Sequence, residues 1–273
     1  MEEKENISFE ELKNKAYTAE DYLDRADAVK MITDQSILLD IAQKDTHSYV
    51  RQRAIDNLGD QQALGLIACH DKDYYVRIMA VKKITDAEIL TSIAMNLNED
   101  YYICKEALSN IRDQHILAKI VNDAEDKDIK CAAIGFINDQ QILAEIAKSA
   151  VNFYVRSDAL RKISDDKILE EITKTDKDYY VRAIAVQMLN DQKALEYIAF
   201  NDEDYYVRKE AVLKLKDQLI LAKIFNDDAD SLVRKTALKK ITNKDILQNI
   251  FTHEQDPYFK RKIMEMLEKA VDV

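Results

Sequence analysis

The chain has 273 residues, 47% of them hydrophobic and 33% charged, which is enough apolar material to fold. Its net charge of −11 globally disfavours non-specific attraction to nucleic acid or anionic membrane. Three glycines and one proline are too few for the turns of a sheet-rich fold and point to short, tightly connected helices.

The opening MEEKENISFEELKNK is polar and charged, unlike a signal peptide, and no apolar run approaches the roughly 18–20 residues of a membrane span. A cytoplasmic location is the expectation. Ser8-Phe9-Glu10-Glu11 has the form of a capping box and predicts an N-terminal capping helix within residues 1–20.

A repeat occupies residues 21–257. Its anchor column is Arg25, Arg51, Arg77, Cys104, Lys130, Arg156, Arg182, Arg208, Arg234 and Lys260. Every step along the column spans twenty-six positions, except that from Arg77 to Cys104, which is one longer. Nine residues after each anchor from Arg25 to Arg234 stands an aspartate, or Asn243 in the last copy. Leucine follows four residues later (Leu38 through Leu247), and isoleucine three after that (Ile41 through Ile250).

Each unit reads as two short helices. Helix A carries an apolar stripe at intervals of three and four, as in Val181, Ala185, Val186 and Leu189, with alanine at a fixed position where a neighbouring helix approaches closely. Helix B carries Ala194, Leu195, Ile198 and Ala199, preceded by an aspartate suited to capping. Helices of about ten residues are marginal alone, so stacking must supply their stability. The expectation is an all-α fold, an α-α superhelix of about ten two-helix repeats, with residues 258–273 as a capping half-repeat centred on Tyr258–Ala270.

The phrase D-x-D-x-x-V-R-x-x-A-V, as in Asp71, Asp73, Val76, Arg77, Ala80 and Val81, resembles HEAT-like repeats. It is most similar to the short bilin-lyase-type HEAT-like unit, and also to the variant leucine-rich repeat. The resemblance spans about residues 19–267. It implies a curved solenoid with helices A on the convex side and helices B lining the concave side. So compact a unit also implies a short helix B. Fold is not function in such arrays.

Twelve of the fourteen tyrosines lie in the two positions before the Val column, so they read first as packing between successive helix starts and second as an aromatic ridge for partners. The arginines face the D-x-D acids, which predicts an Asp–Arg ladder along the stack; recurrence of D-x-D favours capping over a metal or sugar-nucleotide site. The most exposed positions of helices A carry 14 basic against 6 acidic residues, as expected for cations complementing helix C-termini.

The copies differ at the outer residues of helix B, where a recognition surface is expected: Gln61, Gln62, Gln114, His115, Gln140, Gln141, Lys167, Gln192, Lys193 and Tyr197. The middle of the array is irregular around Tyr101–Phe136: Cys104 and Lys130 replace arginine, Lys127-Asp128 replaces the aromatic pair, and Gly135 and Phe136 replace polar residues. That irregularity marks a change in curvature or a local binding spot.

Cys69, Cys104 and Cys131 are odd in number and lack CxxC spacing, which argues against a disulfide framework or zinc site. No phosphate-cradling glycine loop or nucleophile motif is present, and no histidine stands in a predictable relation to a cysteine. The functional expectation is a non-enzymatic, monomeric scaffold binding a protein or peptide on its concave face, without cofactor, metal or membrane. The alternatives are nucleic-acid binding, as in HEAT-like DNA glycosylases, which a slightly acidic helix B surface disfavours, and a bilin lyase or cofactor chaperone.

Overall fold

A computed structural model describes residues 8–269. Helix α1 (Phe9–Thr18) opens on the expected capping box: the Ser8 hydroxyl accepts from the Glu11 N–H while the Glu11 carboxylate accepts from the Ser8 N–H. Helices A are α2 (Tyr22–Val29), α4 (Ser48–Asn57), α6 (Tyr74–Lys83), α8 (Tyr101–Asn110) and α10 (Lys127–Phe136), then α12 (Phe153–Leu160), α14 (Tyr179–Met188), α16 (Tyr205–Lys214), α18 (Ser231–Lys240) and α20 (Pro257–Lys269). Between them lie helices B: α3 (Gln35–Lys44), α5 (Gln61–His70), α7 (Ala87–Ala94), α9 (Gln114–Asp123), α11 (Gln140–Ser149), α13 (Asp166–Thr175), α15 (Gln192–Asn201), α17 (Gln218–Asp227) and α19 (Lys244–His253). The described chain is an all-α helical-repeat solenoid. Helix B is not the short element expected, because all but α7 run ten residues. The brevity of the repeat lies in its connections.

Those connections explain the composition. Every aspartate of the capping column, and Asn243, accepts backbone N–H bonds at the start of its helix B. Most helices A stop on a Leu or Ile in extended conformation, such as Leu58, Ile84 and Ile111, whose side chain enters the core. No described residue has a positive φ, so no helix end calls for glycine. The leucine, isoleucine and alanine columns are buried throughout.

The helices form two compact units, Met1–Asn138 and Asp139–Val273, where the sequence suggested one array between two caps. The division follows α10, the most irregular helix A. In the first unit α1 packs on α2 as a cap; in the second α20 packs on α19, while Ala270 of the expected half-repeat lies outside the described residues.

Within each unit, most successive helices A approach one another more closely than successive helices B. The helix A layer is therefore the more tightly packed of the two. The cause is side-chain size: the alanine column of helices A, between 0% and 2% exposed, lets those helices close up. One B step is tight for a similar reason: a Cβ on Gly65 of α5 would stand 2.8 Å from Cγ2 of Ile89, which follows in α7.

Candidate functional site

Four ladders of side chains hold the repeats together, and they decide which surface residues remain available. The first is ionic. Arg51, Arg156, Arg182 and Arg208 each make a two-pronged contact with an aspartate of the next D-x-D connection, through Nε and Nη2, and Arg25 does the same with Asp45 of Asp45-Thr46-His47. For Arg182 the partner is Asp202, at 2.9 and 3.0 Å, and Nη1 also donates to the Asp176 carbonyl at 3.0 Å. The first acid of each D-x-D takes the arginine, and the second caps the next helix A. This is the ladder expected from the sequence, and its charge-assisted bonds hold the Arg182 and Arg208 guanidiniums above their ordinary pKa.

The second ladder was not foreseen. The first residue of helix B in most repeats is glutamine, and its amide reaches into the following repeat. Oε1 of Gln61 accepts from the Thr85 N–H at 2.7 Å, and that of Gln114 from the Asn138 N–H at 2.6 Å. Gln140 bridges the Ser164 N–H and the Lys162 carbonyl; Gln192 bridges the Lys216 N–H and the Lys214 carbonyl. Gln35 and Gln218 do the same outside the candidate set. Gln61, Gln114, Gln140 and Gln192, expected to face partners, are stacking residues. The recurrence of "DQ" in one register was the available signal.

The third ladder consumes much of the basic excess of helices A. Lys83 donates to the carbonyls of Ile55 and Asp56, Lys214 to Gln187 and Lys240 to Leu213. Each lysine thus covers orphan carbonyls at the end of the preceding helix A, not of its own helix. Asn57 and Asn110 play the same part with neutral amides. Burial pulls Lys83, Lys214 and Lys240 below the ordinary lysine pKa. Most acids of these exposed positions pair locally, as in Lys30–Asp27, Arg53–Asp56 and Arg161–Asp158.

The fourth ladder is aromatic. The first ring of one helix A stands edge-on to the second ring of the next: Tyr22–Tyr49, Phe153–Tyr180 and Tyr179–Tyr206 have centroids 6.2, 6.1 and 6.2 Å apart with planes near perpendicular. Packing does not hide the rings. Tyr75 and Tyr102 are 69% and 66% exposed in the first unit, and Tyr179 and Tyr205 are exposed in the second.

The irregular middle is a compensated substitution. Cys104 replaces the arginine, and Ala124 stands where its aspartate would be; both are buried. Lys130 likewise has Ala150 at the aspartate position and turns its ammonium to the Asn122 carbonyl. A buried carboxylate without its arginine is costly, so both partners change together. The extra residue before Asp100 moves the acceptor of Arg77 to Glu99, at 3.3 Å. Burial, reinforced by Glu99 and Asp100, pushes the Cys104 thiol up to about 11.

On the helix A layer of this region lies a groove of about 610 Å³. Tyr101 and Lys105 of α8 form one wall, and Asp128, Cys131, Ala132, Gly135 and Phe136 of α10 form the other. The structure thus brings together two candidates, Tyr101 and Phe136, from helices adjacent in the stack. It does not gather the rest. Gln62, His115, Gln141, Lys167 and Lys193 are exposed at the second position of successive helices B, where their backbone N–H groups meet the capping aspartate. Tyr197 is 55% exposed on α15, with the Lys174 ammonium 5.4 Å from its ring centre. No group of three or more His, Cys, Asp or Glu side chains among the described residues is arranged to hold a metal ion, and no described helix is long and apolar enough to cross a membrane.

No family model matches the chain, and no curated protein matches it. Solved structures that match include a designed armadillo repeat protein, at 18% identity over 96% of this chain and 100% of that one with a TM-score of 0.17. A second comes from a computational design of self-assembling cyclic protein homooligomers, at 12% identity over 96% and 88% with a TM-score of 0.11. The helical-repeat assignment rests on helix order and packing, not on these likenesses.

Proposed function

We propose that the chain is a non-enzymatic scaffold for a protein or peptide and that it binds on the helix A layer of the Met1–Asn138 unit. The observation that carries this reading is the α8–α10 groove, on a layer that also exposes the rings of Tyr75 on α6 and Tyr102 on α8. Gln114, which bonds the Phe136 carbonyl and the Asn138 N–H, and Asn110, which donates to the Val81 carbonyl, fix the helices around it, so binding there orders little of the scaffold, and a preformed surface retains more of its contact energy as affinity. Exposed tyrosines supply large contact area at low rotamer cost.

This moves the expected surface from helix B to helix A, since four of the helix B glutamines are engaged within the stack. Two further observations support a binding role over the alternatives. The Cys104 thiol, held near 11, is protonated at neutral pH and a poor nucleophile. Several cations of helices A are tied to carbonyls or neighbouring acids, as Lys83, Lys214, Lys30 and Arg53 are, which leaves fewer of them to face a phosphate backbone.

The test is affinity capture from the native cell with three baits: the unaltered chain, Tyr75→Ser with Tyr102→Ser, and Gln62→Ser with His115→Ser and Gln141→Ser. Specific protein retained by the first and third baits but lost from the second is the expected result. Retention by the second and loss from the third would reject the helix A layer. Salt-sensitive retention of nucleic acid by all three would reject the scaffold reading.

A further inference from the structure

The α8–α10 groove is a missing rung of the aromatic ladder. At three other steps the first ring of a helix A meets an aromatic second residue of the next helix A, at centroid separations of 6.1 to 6.2 Å. At this step the first ring is Tyr101, and the residue in the second position is Asp128. The Asp128 carboxylate pairs with its neighbour, the Lys127 ammonium 3.3 Å away, and is smaller than the ring found at other steps. The wall below is also cut back: residue 135 is glycine, and a Cβ built there meets nothing within 4 Å. Phe136 stands where other repeats place lysine, asparagine or methionine, and it adds a second aromatic surface.

Charge defines what accompanies the ring. Lys105 on the α8 wall is exposed and makes no ion pair among the described residues, and Lys82 of α6 on the same layer is likewise exposed. Asp128, by contrast, already has its cation. The surplus charge at the groove is therefore positive, although the chain as a whole is acidic.

We infer that the groove receives an aromatic side chain of an extended partner peptide, the ring replacing the missing rung against Tyr101 and Phe136, with an adjacent Asp or Glu of the peptide facing Lys105. This rests on the scaffold reading above and names its ligand chemistry. An edge-to-face contact with Tyr101 supplies orientation, and the carboxylate selects register.

The experiment selects random displayed peptides on the full chain, then measures binding of the synthetic winners by calorimetry. Enrichment of an aromatic next to an acid is expected. Replacing that aromatic with alanine should weaken binding about tenfold or more, as for a central anchor. Asp128→Tyr restores the rung and should weaken binding as much. Gly135→Leu, which fills open space at an exposed helical position, should do the same and stands in if Asp128→Tyr alters the fold. Lys105→Glu should reverse the preference for the acid. Winners without an aromatic, or winners indifferent to both filling variants, overturn this inference and leave the scaffold reading in place. No enriched peptide at all overturns both. Concentration-dependent self-association abolished by Asp128→Tyr would assign the groove to a second copy of the chain and overturn the peptide.

Discussion

The paired loss of Arg and Asp in the middle repeats predicts a specific coupling where the pair is intact. Arg182 and Asp202 are both nearly inaccessible, with side-chain exposures of 6% each, and exchange bonds of 2.9 and 3.0 Å. Arg182→Cys leaves the Asp202 carboxylate buried without its cation, and Asp202→Ala leaves the guanidinium only the exposed Glu203 carboxylate, 3.2 Å from Nη2, as its counter-charge. Each single change should cost about 3–5 kcal/mol, the usual penalty for breaking a buried ion pair from one side. The double variant copies the natural Cys104/Ala124 combination. It removes both charges and should cost well below the sum of the singles, with a coupling energy of at least about 2 kcal/mol. Urea unfolding followed by circular dichroism measures all four corners of the cycle. Single costs that add within about 0.5 kcal/mol would refute the argument, since they would mean that neither partner depends on the other.

Other consequences concern the remaining devices. Gln192→Ala removes two inter-repeat hydrogen bonds and should lower stability by about 1–2 kcal/mol, whereas Lys193→Ala beside it should be nearly neutral in the same titration. Ile198→Ala should cost about 2–5 kcal/mol; an unchanged thermal midpoint would overturn its place in the core. Gly65→Ala should destabilise despite a helix-propensity gain of about 1 kcal/mol, because the new methyl meets Ile89. The Asp34 carboxylate is held below its ordinary value of 3.8 chiefly by the Ser36 hydroxyl, and Asp191 below the same value by the Ala194 N–H. Their folded pKa values are depressed, so their contribution is complete above 3.8 and fades as pH falls through the lower folded values. Acid unfolding of Asp191→Ala should accordingly begin from a lower baseline and show a shallower loss below that pH.

The fold was legible because each repeat alone is unstable, so the columns that bury it must recur. Leu195, Ile198 and Ala185 are fixed by packing, and Asp191 by an orphaned helix end. The same logic, applied to Gln192, would have exposed the glutamine ladder: an amide that recurs immediately after the cap is held by a neighbour, not left to vary. The loss of Asp at Ala124 and Ala150, each in step with a lost arginine, was equally readable. The tighter packing of the helix A layer was not. It depends on the relative bulk of two helix interfaces, a small difference that the apolar pattern of a single helix does not carry. The groove was half visible, since Tyr101, Asp128 and Phe136 each break a column, but only the packing of α8 on α10 places them around one space.

Tyrosine footprinting of the chain with a selected peptide bound tests the central claim most directly, because exposed tyrosines stand on both layers. Binding on the helix A layer predicts protection of Tyr101 and Tyr102 with Tyr197 unchanged. Protection of Tyr197 with Tyr101 and Tyr102 still reactive would contradict it.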